Sequence, residues 1–220
     1  MGSNMNRQLL TIAVVLFTCA SARAELIITS IFDGAGGTPR GIELFVAATG
    51  SFEDWTVDLE FNNNTDPLAD EFGVGHVFDS TIYNEGDFIY VTGTPADSIL
   101  TATSSAIIDA PTLNIINGDD RVRISNVAGD VIDQYGVSGQ DGTGEAWEYT
   151  GSFAYRNDNT SPTGAFEVGD WTIAPVNSLI ANGNGALQDR LGSFVAVPEP
   201  STLILFGLAG LGLGLKRRRA

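Results

Sequence analysis

Cysteine is almost missing from this chain: the only one is Cys19, close to the N-terminus. Everything after it is therefore without disulfides, thiolate nucleophiles or zinc–thiolate centres. Histidine is as scarce, and His76 is the only one. A Ser-His-Asp triad would have to use His76, yet no serine sits in a G-x-S-x-G elbow. His76 is expected to be a loop or core residue. Positive charge is the third shortage. Of 11 basic residues, Arg7, Arg23, Lys216, Arg217, Arg218 and Arg219 lie near the two ends. Arg40, Arg121, Arg123, Arg156 and Arg190 are the only ones between. All 27 acidic residues except Glu199 fall between residues 25 and 197, so that stretch sets 26 negative charges against five positive and stands near −21. Such a surface repels phosphate backbones, which excludes nucleic-acid binding. The chain also shows no fixed-period repeat, no low-complexity stretch and no amphipathic helical period.

The two ends read as targeting segments. Arg7 supplies a positive start, residues 9–19 an apolar run, and Ala22-Arg23-Ala24 an A-x-A cleavage site. Residues 1–24 are expected to be a signal peptide helix, with Glu25 as the mature N-terminus. Keeping Cys19 as a lipidated residue is disfavoured, because Thr18 stands where a small residue is wanted. At the other end, Pro198-Glu199-Pro200 precedes a glycine-rich apolar run, 203–215, and then Lys216-Arg217-Arg218-Arg219. The prolines keep the chain extended. As a helix the run spans about 21 Å, short for a ~30 Å hydrocarbon core. The basic cluster favours the cytoplasmic side.

This tail, 196–220, resembles the PEP-CTERM sorting signal of Gram-negative bacteria. The resemblance implies recognition by an exosortase-type membrane protease with processing near Pro198, Glu199 and Pro200. It further implies membrane attachment through the C-terminal hydrophobic helix before processing, and export beside exopolysaccharide.

Between the ends, period-2 alternation and apolar runs predict strands at 26–31, 41–46, 55–61, 87–92, 121–125 and 131–135, with a weaker one at 146–149. Turn signals such as Asn84-Glu85-Gly86, Asn117-Gly118-Asp119 and Ala128-Gly129-Asp130 separate them. Short strands at this spacing predict an all-β fold, a two-sheet antiparallel β-sandwich over residues 25–195. Ile28, Leu44, Val57, Ile89, Val122 and Ile132 are the expected core. The order of Leu26-Ile27-Ile28-Thr29-Ser30-Ile31, Trp55-Thr56-Val57, Gly86-Asp87-Phe88-Ile89-Tyr90-Val91 and Asp120-Arg121-Val122-Arg123-Ile124 resembles the lamin tail domain. So does the closing set Trp147, Phe153-Ala154-Tyr155-Arg156 and Asp170-Trp171-Thr172. That resemblance implies an immunoglobulin-like sandwich.

Candidate chemistry is sparse. Asp119 and Asp120 in one turn, and Asp141 and Glu145 in another, are oxygen donors of the kind calcium takes. Neither turn has EF-hand spacing, and Asp and Asn also cap their own backbone at turns. Calcium is therefore a possible ligand rather than an assigned one, and no other cofactor is expected. Trp55, Trp147 and Trp171 offer stacking faces for sugars, but core packing is the expectation for Trp55 and core or edge packing for Trp147 and Trp171. The expected function is an exported, non-catalytic module of the cell surface or extracellular matrix. The alternatives are a hydrolase acting on matrix polysaccharide, through paired carboxylates, and a calcium-dependent adhesion module.

Overall fold

A computed structural model describes residues 25–60, 73–93 and 106–197. The expected leader, the triplet Pro198-Glu199-Pro200, the apolar run and the basic cluster lie outside the described residues.

The first apolar run, Leu26-Ile27-Ile28 with Ile31-Phe32, is the pattern of a strand covered on both faces. It forms β1 (Glu25–Asp33), in which every residue after Glu25 is buried. The following strands are β2 (Arg40–Ala48), β3 (Gly50–Ser51), β4 (Thr56–Glu60), β5 (Gly73–Val77), β6 (Ile82–Tyr83) and β7 (Phe88–Thr92). After them come β8 (Ala106–Asp109), β9 (Arg121–Ser125), β10 (Val131–Tyr135), β11 (Phe153–Arg156) and β12 (Trp171–Ile173). Two short helices, α1 (Ser178–Asn182) and α2 (Gly185–Gln188), close the described chain. A six-stranded sheet has the order β12-β11-β1-β2-β7-β8, and a four-stranded one the order β10-β9-β4-β5. β3 and β6 pair by themselves. The regular structure of the described residues is mostly β, as expected.

One buried apolar cluster is shared by the two larger sheets. Leu26, Ile28, Ile42, Leu44, Ile89 and Val91 come from the first; Val57, Leu59, Val122, Ile124 and Tyr135 come from the second. Fully burying each such side chain contributes roughly 1.5–3 kcal/mol. A second cluster, Phe32, Phe153, Leu179 and Leu187, holds α1 and α2 against the six-stranded sheet.

Several expectations need correction. Ile28, Leu44, Val57, Ile89 and Val122 are fully buried, but Ile132 is only half-buried. A bulge between Val131 and Asp133 resets the alternation of β10, so Asp133 and Tyr135 point inward instead. Residues 146–149 form a turn, not a strand: Glu145 N–H donates to the Gly142 carbonyl and Glu148 N–H to that of Glu145. The sheets are not wholly antiparallel. β8 runs parallel to β7, and the sequence between Thr92 and Ala106 is long enough for the crossover this requires. Beyond these corrections, Asp58 and Glu60, which alternate with Val57 and Leu59 in β4, are also buried. They lie opposite Arg123 and Arg121 on β9 and pair with them at 3.2 Å and 2.6 Å.

Candidate functional site

The last described residues form a docked strap. Beyond β12 the chain turns through α1 and α2 and then crosses the outer face of the six-stranded sheet. Leu179 and Leu187 are buried against Phe32 and Phe153. Leu191 packs beside Tyr90 and Phe88. The Arg190 guanidinium lies 3.9 Å above the Tyr155 ring, within cation–π reach. Gly192 N–H donates to Glu43 Oε2 at 2.6 Å. Phe194 meets Phe45 edge-on at 5.5 Å between ring centres. Val195 is held by both backbone groups: its N–H donates to Asp158 Oδ1 at 3.0 Å, and its carbonyl accepts from Asn159 N–H at 2.9 Å. Only Ala196 and Val197 separate this clasp from the Pro198-Glu199-Pro200 triplet.

Glu43 anchors the strap from the middle of β2. Thr29 Oγ1 donates to its other oxygen, Oε1, at 2.7 Å. Burial pushes the Glu43 carboxyl above the usual carboxylate range, against the opposing pull of Thr29, Gly192, Tyr90 and Arg190. The same burial, helped by Glu43 itself, pushes the Tyr90 hydroxyl far up.

The four calcium candidates fall into two neighbouring turns. The turns meet through Thr143, whose hydroxyl donates to Asp119 Oδ2 at 2.9 Å, and through Gly142 N–H, which donates to the Asp119 carbonyl. Asp119 and Asp120 are buried, whereas Asp141 and Glu145 are exposed. Asp120 Oδ2 accepts Asn117 N–H, and Asp141 Oδ1 accepts Thr143 N–H, which is the capping chemistry of turns. Among the described residues, no group of three or more His, Asp or Glu side chains is placed to hold a metal ion.

His76 sits in β5 opposite Val57, edge-on to Phe78 at 4.9 Å. Partial burial lowers its pKa, and the nearby Asp79 opposes that shift. Trp147 and Trp171 are buried around Tyr135, with ring centres 6.1 Å and 4.8 Å away. Trp55 is half-buried and lines an open cleft of about 630 Å³ with Glu25, Asp130 and Ile132.

Sequence reasoning missed the buried charges Glu43, Asp133 and Arg156. The available signal was a charged residue inside an apolar strand: Ile42-Glu43-Leu44, Ile132-Asp133 and Tyr155-Arg156. A group of that kind is buried only where partners satisfy it.

None of the curated proteins matches this chain, and no lamin tail domain is matched. Residues 196–219 match the PEP-CTERM protein-sorting motif. The matched span holds Pro198, Glu199, Pro200, the apolar run and the basic cluster. Among the described residues no helix is long and apolar enough to cross a membrane; the apolar run lies outside them. Directly after its docked strap, the chain therefore carries the sorting signal of an exported protein that is anchored transiently in the membrane and processed by an exosortase, a membrane protease.

Proposed function

We propose that this chain is the precursor of a non-catalytic module of the cell surface or extracellular matrix, associated there with exopolysaccharide. Residues 1–24 are its cleaved signal peptide, 25–195 its lamin-tail-like, immunoglobulin-like domain and 196–220 its removable tail. The observation that carries this reading is the sorting motif at 196–219. Two sheets sharing one core support the sandwich. The lopsided charge supports an extracellular life: with 26 acidic side chains against five arginines between residues 25 and 197, the released body stays soluble. Four of those arginines, Arg40, Arg121, Arg123 and Arg156, are in ion pairs with carboxylates of the fold.

The test replaces Pro198, Glu199 and Pro200 with alanine in a strain carrying the cognate exosortase. The variant is expected to accumulate at full precursor size in the inner membrane. Processing and export like the wild type would remove the triplet from the reading. For the matrix assignment, cells unable to make exopolysaccharide should shed the mature protein into the medium. A cell-bound fraction unchanged in those cells speaks against association with polysaccharide.

A further inference from the structure

We propose that the docked strap shields the N-terminal flank of the sorting motif, so that processing is metered by how often residues 193–195 lift from the sheet. The proposal rests on the reading of residues 196–219 as an exosortase substrate.

A protease reads its substrate as an extended strand, through backbone N–H and C=O groups and alternate side chains. On the N-terminal side of the triplet this precursor offers little of either. Val195 has its N–H committed to Asp158 and its carbonyl to Asn159. The Phe194 side chain is buried against Phe45. Three Cα–Cα steps of about 3.8 Å place Pro198 within about 11 Å of Val195. While the clasp is closed, Ala196 and Val197 are all the chain that lies between held backbone and the triplet.

The contacts are graded in a way that lets this end fray by itself. Val195 is exposed and its bond to Asp158 lies at the surface. Two residues earlier than Phe194, Gly192 is tied to the buried Glu43, and Leu187 is wholly enclosed. Opening therefore starts at Val195 and stops at Gly192, a local event far cheaper than global unfolding. Asp158 is thus a positioning residue: it acts on the scissile segment through Val195.

The experiment follows precursor and product by pulse–chase in cells carrying the exosortase. Asp158→Ala removes the acceptor for Val195 N–H, and loss of one such bond is expected to raise the processing rate roughly fivefold. Asp158→Asn keeps an acceptor oxygen and should be processed close to the wild-type rate. A Gly-Ser-Gly-Ser insertion between Val195 and Ala196 leaves 196–219 intact while freeing the flank, and should accelerate processing at least as much. On that inserted background Asp158→Ala should have no further effect, because the two changes act on one step. Wild-type rates in both the Asp158→Ala and the inserted chain overturn the proposal. A full Asp158→Ala effect persisting on the inserted background overturns it as well. The triplet-to-alanine precursor, run alongside, separates the two readings: its processing would sink the sorting assignment itself, whereas an uncleaved triplet variant with an inert clasp sinks only the strap.

Discussion

Arg156 on β11 grips Asp133 on β10 across the two sheets, its Nη2 2.6 Å from Oδ1 and 2.7 Å from Oδ2. The pair also repairs β1. The register of β1 against β2 slips between Ile28 and Ser30. Ile28 N–H donates to Asp133 Oδ2 at 2.7 Å, and the Ile28 carbonyl accepts from Arg156 Nε at 2.8 Å. The ion pair therefore replaces ladder bonds. Arg156→Ala leaves a buried carboxylate unpaired and should cost roughly 3–5 kcal/mol. An apolar pair of similar volume, Asp133→Leu with Arg156→Met, often rescues a buried ion pair. Here it should not, because the two Ile28 backbone groups lose their partners, at about 1–3 kcal/mol each. Urea unfolding of the single and double variants decides it: a double variant as stable as the wild type would show that the Ile28 contacts contribute nothing.

Glu43 makes stability pH-dependent in a direction opposite to that of an ordinary salt-bridged acid. Burial raises its pKa above the ordinary carboxylate value of 4.5. The folded chain then holds a proton that the unfolded chain has released. That contribution is complete below about pH 4 and is lost as pH rises through the raised value. Asp133, pushed up to about 6 by burial against the opposing pull of Arg156, acts the same way. Glu43→Gln removes one of the two titrations. Melting temperatures taken from pH 4 to 7 should fall less steeply for the variant than for the wild type. Parallel profiles would mean that Glu43 titrates like a solvated carboxylate.

How much of this was legible beforehand depends on what each residue reports. The strands 121–125 and 131–135 coincide with β9 and β10, because Val122 and Ile124 alternate with polar neighbours and tight turns bound both runs. β11 and β12 carry mixed sequence, Phe-Ala-Tyr-Arg and Trp-Thr-Ile; β11 owes its place to pairing with β1, and β12 to pairing with β11, rather than to any local period. The strap was invisible for the same reason: α1 and α2 are four or five residues long, too short for a helical period, and are fixed by Leu179 and Leu187 against a distant sheet. The sorting tail was legible because its signal is linear. Its docking point was not, since Asp158, Asn159 and Val195 meet only in the fold.

Two glycines separate backbone conformation from space. Both Gly86 and Gly118 have positive φ, 89° and 100°. A Cβ on Gly86 meets nothing within 4 Å, so Gly86→Ala should cost about 1 kcal/mol from conformation alone. A Cβ on Gly118 runs into the backbone of Thr150. The two segments are tied there, Tyr149 N–H donating to the Gly118 carbonyl at 2.7 Å. Gly118→Ala should therefore cost roughly 3 kcal/mol or more. Similar melting points for the two variants would put the close approach of residues 118 and 150 in error.

The proposed removal of residues 1–24 would have to come before folding, because of where β1 begins. Glu25 opens the strand, half-buried and paired with Ala48, and Leu26 through Asp33 are buried between β11 and β2. A peptidase cutting after Ala24 needs the residues on both sides of the bond as an accessible extended chain, and the folded sheet withholds those after it. Cleavage is therefore expected to precede closure of the sheet, leaving Glu25 as the first residue of the exported protein. Mass spectrometry of the mature N-terminus reads this directly. Ala22→Lys with Ala24→Lys should block the cut and hold the chain in the membrane by residues 9–19. The body of that variant should still fold, because the change lies upstream of the first sheet contact, and limited proteolysis should show the same resistant core. A mature protein that begins at Leu26 or later, or that retains residues 9–19, rejects the assignment of the cleavage site.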